Sequence, residues 1–329
     1  MKKYLRNKRI HIYNSPDFGS LAKIASGGFS SVRVAYWKNI TKLAVKDFNE
    51  KSKEDDIINE IKIMRLASHP SIIHFYGVTK FKDEKKYSLV LEYADSGTLE
   101  KYLRATSIEW EIQLKFAKEI AGAILWLHDN NIIHGDLHPK NILIHQNTIK
   151  LADFGCSRLQ GTECHFEPRG IIPYTDPKIL NAKSDLTKKS DIYSLGVVFW
   201  ELTSRSPPFG FESDLDQNQI MQITLGIVNG KRETPIPNTN SKFITLYEKC
   251  WQYEPQKRPD ISEVTSELNK IHPIDAENNN NSSSSKPNES KIMEQPENEC
   301  FESSSFEDCH SKEDFDSLED CDINLYYES

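Results

Sequence analysis

The sequence has no apolar run near the ~20 residues needed to cross a bilayer as a helix, so no membrane span is expected. Its first ten residues, MKKYLRNKRI, are basic and no apolar segment follows, so a secretory leader is not expected either. The arm over 1–17 reads as a solvated terminus, and no nucleic-acid partner is expected from so short a basic stretch. Cys156, Cys164, Cys250, Cys300, Cys309 and Cys321 lack C-x-x-C or cysteine–histidine spacing. That speaks against a zinc site and a disulfide framework. A reduced cytoplasmic protein is the expectation, with the nucleus as the alternative. Internal repeats are also missing.

What is there is uneven in charge. Residues 273–329 hold 16 acids and 3 bases, while the other 272 residues hold 38 bases and 33 acids. The segment 273–329 contains NNNNSSSS and little apolar content, so it reads as a disordered acidic tail that cannot offset its ordering entropy. Two roles stand for it, a solubilising tail or an intramolecular contact with the mildly basic globule. Ser304, Ser305, Ser311 and Ser317 each have an acid three residues on, so phosphorylation would deepen its charge.

Before the tail the periodicity changes once. From 18 to 91 it is mostly that of strands: Val32 and Val34 alternate with polar neighbours, and KLAVKDF and SLVLEY are short β-type runs. One helix interrupts them, with Ile57, Ile61 and Met64 on one face. Residues 92–97 are a turn-prone connector. From 98 to 272 the pattern is helical. Phe116, Ile120, Ile124 and Leu127 mark an amphipathic helix, and KSDIYSLGVVFWELT is apolar almost all round, as a central buried helix would be. The expected fold is α+β, a small β-rich lobe and a larger helical lobe with a ligand cleft between them.

Charged residues cluster around that cleft. In KIASGGFSSVRVA, Gly27 and Gly28 could bring backbone N–H groups to phosphates, and Val32 could cover a base. An ordinary hairpin turn is the plainer reading. Lys46 in LAVK could neutralise phosphates. A lysine placed there needs a carboxylate, and Glu60 on the following helix suits better than Glu54. In DLHPKNILIHQNTIKLADFG, two short strands flank a Gln146–Asn147 turn, so Asn141 and Asp153 should meet as two oxygen donors for a magnesium ion. Asp136 can then reach an attacking hydroxyl, and Lys140 can steady phosphoryl charge. Singly Asp136 could be a turn residue, Asn141 a cap and Asp153 a loop acid; all three at hairpin spacing, downstream of a lysine–glutamate pair, point to phosphoryl transfer.

Two known patterns are similar to IIHGDLHPKNILI: the protein kinase catalytic loop H-R-D-L-x-x-x-N, and the H-G-D-x-x-x-x-N loop of small-molecule phosphotransferases. The rest of the chain resembles the first. DFG stands at 153–155, KKSDIYSLGVVFWEL resembles the buried kinase helix, and HPSIIHFYG fits the small-lobe passage. CWQYEPQKRPD is similar to the C-W-x-x-[DE]-P-x-x-R-P signature. Residues 18–272 thus resemble a eukaryotic protein kinase domain of the tyrosine-kinase-like branch, in particular expanded fungal kinase-like families.

The resemblance implies ATP and Mg²⁺ as cofactors and a protein substrate. It implies that the backbone of Glu92–Ala94 holds adenine beside a gatekeeper Leu91. It implies an apolar sandwich of Ile24, Val32, Ala44 and Leu143 around the base, and a stacked spine of Phe75, Met64, Phe154 and His134. Asp191 would brace the HGD turn. Four departures stand out. Gly135 replaces the loop arginine. Ala25 and Ser30 replace two glycines of G-x-G-x-x-G and are expected to stiffen that loop. Asp176 and Lys178 replace the Ala and Glu of A-P-E, leaving Arg258 in need of another partner or the segment looser. Ile171 leaves the acceptor type open, and His138 takes the usual serine/threonine lysine position. The expected function is ATP- and Mg-dependent transfer to Ser/Thr, with dual specificity as a variant. The alternatives are a pseudokinase scaffold and a small-molecule phosphotransferase.

Overall fold

The first departure from these expectations lies at the N-terminal arm. In the computed structural model, which describes residues 1–82, 84–162, 170–181, 185–212 and 214–272, Lys2–Asn7 form α1 and Ile12–Tyr13 form β1. The arm is therefore not a solvated terminus. Its charges, Lys2, Lys3, Arg6, Lys8 and Arg9, do face solvent, but Leu5 and Ile10 are buried. The charge count concealed two apolar anchors.

The small lobe continues with β2 (Phe18–Ser26), β3 (Ser30–Trp37), β4 (Thr41–Phe48), α2 (Glu54–Leu66), β5 (Phe75–Thr79) and β6 (Ser88–Glu92). These strands form one sheet in the order β1-β5-β6-β4-β3-β2, with β1 parallel to β5 and the other pairs antiparallel. Alternation along the strands gives the sheet two faces. Ala35, Leu43, Val45 and Val90 point one way and, with Phe18, build a small core. Val32, Val34, Ala44, Lys46 and Leu91 share the opposite face by register. That second face, joined by Ile57, Ile61 and Met64 of α2, is the roof of the cleft.

The large lobe holds α3 (Leu99–Ala105), α4 (Trp110–Asp129), β7 (Ile132–Ile133), β8 (Ile142–His145), β9 (Thr148–Leu151), β10 (Arg158–Leu159), α5 (Pro177–Leu180), α6 (Lys188–Ser204), α7 (Gln217–Val228), α8 (Ser241–Cys250) and α9 (Ile261–Asn269). Every α6 residue from Ser190 to Leu202 is buried, which is why its sequence shows no polar stripe. The helix starts in a Thr187/Ser190 capping box. Gly196 lets α8 approach: a Cβ there would lie 2.8 Å from Cys250 Cβ and 3.0 Å from the Tyr247 carbonyl.

Among the described residues, backbone hydrogen bonds link the lobes at two places. The connector runs beside β8, with the Ser96 N–H donating to the Ile144 carbonyl and the Ile144 N–H to the Gly97 carbonyl. The α2–β5 loop straps to β9 through Leu151, which donates to the Ser71 carbonyl and accepts from the Ile73 N–H. No helix of the described residues is long and apolar enough to cross a membrane. The expected tail over 273–329, with its intramolecular contact, lies outside the described residues.

Candidate active site

Gln146 and Asn147, at φ 49° and 57°, supply the two left-handed residues a two-residue hairpin needs. They fix the β8–β9 register, Ile142 opposite Leu151 and His145 opposite Thr148. The residues just outside the hairpin are thereby forced together: the Ala152 N–H donates to the Asn141 carbonyl at 2.8 Å. Asn141 Nδ2 in turn donates to the Asp136 carbonyl at 2.9 Å and to Asp136 Oδ2 at 3.0 Å. Asp136, Asn141 and Asp153 thus share one corner of the cleft.

Asp191 fixes that corner from beneath. Its carboxylate accepts the N–H groups of His134 and Gly135, each at 2.9 Å, and contacts His128 Nε2 at 2.8 Å. Burial works to raise its pKa, but these contacts prevail and hold it below the ordinary value. Gly135 has φ 81°, and a Cβ on it would fall 2.6 Å from Leu186 and 2.8 Å from the Cys156 carbonyl. An arginine does not fit there without moving both neighbours.

Above the corner stands Lys46. Its Nζ lies 2.7 Å from Glu60 Oε1 and 2.9 Å from Asp153 Oδ1. Burial alone would lower the lysine pKa, yet the charges of Asp153 and Glu60 raise it, so it stays an ammonium. The same pairing overrides burial at Asp153 and takes that carboxyl down to about 2. Glu54 lies at the exposed start of α2, away from this pair.

The base side of the cleft is built from the sheet register. Val32 of β3 stands opposite Lys46 of β4, and Ala44 of β4 opposite Leu91 of β6. Ile24 sits at a register shift between Lys23 and Ala25, and such irregularities re-aim side chains. Leu143 bridges to Thr98 from the large lobe. The Glu92 side chain turns to Lys150, at 2.9 Å, and to the His74 N–H, and its own N–H donates to the His74 carbonyl at 2.9 Å; Ala94 is half-buried. His134 and Phe154 stack edge-on at 5.2 Å, with buried Met64 and half-buried Phe75 in the same core.

Gly27 and Gly28 sit at the tip of the β2–β3 hairpin, and nothing lies within 4 Å of a Cβ built on Gly28. Two residues not singled out from the sequence tie this tip down. Asn49 Nδ2 donates to the Gly28 carbonyl and Ser52 Oγ to the Phe29 carbonyl, both at 2.6 Å. His138, which takes the usual serine/threonine lysine position, is buried, with Nε2 3.3 Å from Asp136 Oδ1. Lys140 lies 3.9 Å from Glu100 of α3. Ser157 is buried and donates to the His134 carbonyl, whereas Thr162 is exposed.

The donor set suits a hard cation with few protein ligands. Asn141 spends its amide nitrogen on Asp136, which leaves Oδ1 as an oxygen donor, and Asp153 Oδ2 has no hydrogen-bond partner among the described residues. No cluster of three or more His, Cys, Asp or Glu able to hold a metal occurs among the described residues. Two oxygens are what magnesium asks of a protein when phosphates and water supply the rest.

At the substrate-side corner, Arg258 does have its partner. Asp176 meets it with two oxygens, one at 2.9 Å from Nη2, and both side chains are fully buried. Lys178 instead pairs with Glu254 at 2.8 Å.

Comparison with known proteins agrees with this geometry. The family model described as protein kinase domain matches residues 18–268. Mouse receptor-interacting serine/threonine-protein kinase 4 is 30% identical over 280 residues, 78% of this chain and 34% of its own. The Arabidopsis thaliana leaf rust 10 disease-resistance locus receptor-like protein kinase-like 1.2 is 31% identical over 296 residues, 80% of this chain and 45% of its own. The chain therefore spans less than half the length of these relatives. Neither is fungal, so the narrower fungal resemblance gains nothing from them.

Proposed function

The chain belongs to the protein kinase family, and from that premise we propose that it is a catalytically competent, magnesium-dependent kinase acting on serine or threonine of protein substrates. One observation carries the reading. Lys46 stands between Glu60 and Asp153 at 2.7 and 2.9 Å while Asp136 is held by Asn141 at 3.0 Å, so the charged groups of phosphoryl transfer are assembled together. The serine/threonine in the name of the mouse relative supports the acceptor type.

In this reading adenine lies between Ile24, Val32, Ala44 and Leu143, against the backbone of Glu92 and Ala94. Gly28 at the hairpin tip offers its N–H to the phosphates, while the Gly27 N–H closes the turn on the Ser30 carbonyl at 2.7 Å, and Lys46 keeps a fixed positive charge beside them. Asn141 Oδ1 and Asp153 Oδ2 would hold magnesium, which when bound neutralises phosphate oxygens. Asp136 orients the substrate hydroxyl. As that oxygen bonds to the γ-phosphorus and the bond to the ADP oxygen breaks, the hydroxyl proton passes to Asp136. Lys140 adds positive charge at the edge of the loop.

The test is incubation of the purified chain with radiolabelled ATP and Mg²⁺ beside an Asp136→Asn variant. Label on serine or threonine of the chain or of a generic basic substrate is expected, falling by about 10²- to 10⁴-fold in the variant. A folded, ATP-binding chain that transfers no label would instead make it a scaffold.

A further inference from the structure

The N-terminal arm lies against the helix that carries Glu60. The Tyr4 ring of α1 is 5.9 Å from Lys62 Nζ of α2, on the side of that helix turned away from the Ile57/Met64 seam. Ile58, one turn before Lys62 on the same flank, is half-buried. Leu5 is fully buried and belongs to the core that contains Ile57, Ile61 and Met64. The Ile10 N–H closes the end of α1 by donating to the Leu5 carbonyl at 3.1 Å.

The far end of the arm is fastened to the sheet. The Val78 N–H donates to the His11 carbonyl at 3.0 Å, and Thr79 Oγ1 donates to the Tyr13 carbonyl at 3.1 Å. The Tyr13 ring packs 5.5 Å from Trp37 and 5.9 Å from Phe18. Gly77 makes the passage: a Cβ there would lie 2.4 Å from the His11 carbonyl oxygen. The arm thus spans from the edge of the sheet to the outer flank of α2, and the two are the bodies whose separation sets the Lys46–Glu60 distance.

We propose that residues 1–13 are a built-in positioning element for Glu60. Docked, the arm presses α2 toward the sheet and keeps Glu60 on Lys46. Released, α2 swings more freely, the ion pair is made for a smaller fraction of the time, and phosphoryl transfer falls in proportion. The effect on transfer rests on the kinase reading above; the effect on α2 does not.

The arm can be released from either end in the full chain, by Leu5→Ala at α1 or by Gly77→Ala at β5. Hydrogen exchange of α2 amides, kcat and the KM for ATP are measured for each, with Leu5→Met as the conservative control. Both releasing variants are expected to speed exchange in residues 57–64 by about tenfold or more while α4 and α6 keep their protection, since local opening is separable from global unfolding. They should lower kcat by about tenfold, equivalent to ~1.4 kcal/mol of barrier. The KM for ATP should stay within about twofold of the parent, and Leu5→Met should restore the parent values. Unchanged exchange in α2 overturns the proposal, as does faster exchange spread equally over α4 and α6. Faster α2 exchange in a chain with no transferase activity in any form would sustain the positioning role and sink the kinase reading instead.

Discussion

Two parts of this molecule depart from the kinase pattern, and they respond to the loss in different ways. At the substrate-side corner, Lys178 stands where a glutamate would pair with Arg258, yet the guanidinium is bound by Asp176, two residues earlier. The new lysine has its own acid in Glu254. At the β2–β3 hairpin, Ala25 and Ser30 stand for glycines and no exchange of this kind is found. Ala25 pairs with Val32 just past the register shift at Ile24, Ser30 pairs with Phe48, and neither adopts a positive φ. The physical difference is burial. Arg258 is 0% exposed, and a buried charge without a partner is too costly to keep. A solvent-facing hairpin whose φ values suit any residue carries no such debt. Departures at buried charges must be answered by other residues; departures at exposed turns need not be.

The sharpest way to break this comparison is Asp176→Ala. It strands Arg258 among carbonyls of Gln252, Tyr253 and Lys189, with no carboxylate left. Chemical denaturation should show a loss of about 3–5 kcal/mol. Replacing the arginine as well, in Asp176→Ala/Arg258→Met, should recover a large part of it, because two buried charges then vanish together. Equal losses in single and double variants would mean that packing, not charge, holds the corner.

A second carboxylate at this corner sharpens the rule by being an exception to it. Glu201 is buried and accepts the Tyr174 hydroxyl, with no ion-pair partner among the described residues. Burial pushes its pKa from an ordinary 4.5 up to about 7, against the pull of the Tyr174 hydrogen bond. With the folded value above the unfolded one, its contribution to stability is complete below pH 4.5 and is lost as pH rises through about 7. Denaturation at pH 5 and pH 8 should therefore show Glu201→Gln removing a decline of ~2 kcal/mol that the parent suffers. Smaller again is Lys178→Glu, which restores the common letter but sets a carboxylate against Glu254. About 1 kcal/mol should be lost, and Glu254→Lys in the same chain should return it.

How much of this was legible in the sequence follows the same division. Strand alternation at Val32 and Val34 and the Ile57/Ile61/Met64 spacing announced the small lobe, because periodicity records which face is buried. The Asn141–Asp153 meeting was readable because a hairpin brings its outer ends together whatever its side chains. Lys46–Glu60 was readable because a buried ammonium demands an acid within one element of it. The Asp176–Arg258 pair was not: it joins residues 82 positions apart, and nothing local says which acid will turn toward the arginine. The folding of the arm was hidden for another reason. Two buried residues, Leu5 and Ile10, among five exposed bases make too short a pattern to outweigh the charge. Asn49 and Ser52 act through backbone carbonyls of the hairpin tip, and a carbonyl acceptor leaves no mark in the sequence.

Those two residues give the mildest test, and it probes whether the hairpin is as unconstrained as its exposure suggests. Asn49 Nδ2 donates to the Gly28 carbonyl at 2.6 Å, and its Oδ1 accepts the Lys51 N–H at 3.0 Å. Both contacts face water, so Asn49→Ala exchanges them for hydration at a cost of about 0.5–1 kcal/mol. The hairpin tip should nonetheless gain freedom, and a looser tip offers its N–H groups to phosphates less often. The KM for ATP should rise about threefold with kcat nearly unchanged, the signature of binding lost equally from ground and transition states. Ala25→Gly/Ser30→Gly should act in the same direction, since both changes free the same strand ends. Made together with Asn49→Ala, the glycines should raise KM further than they do alone, because the tether no longer limits what they release. A melting loss in Asn49→Ala as large as that of Asp176→Ala would erase the contrast, placing the exposed hairpin under the same structural obligation as the buried corner.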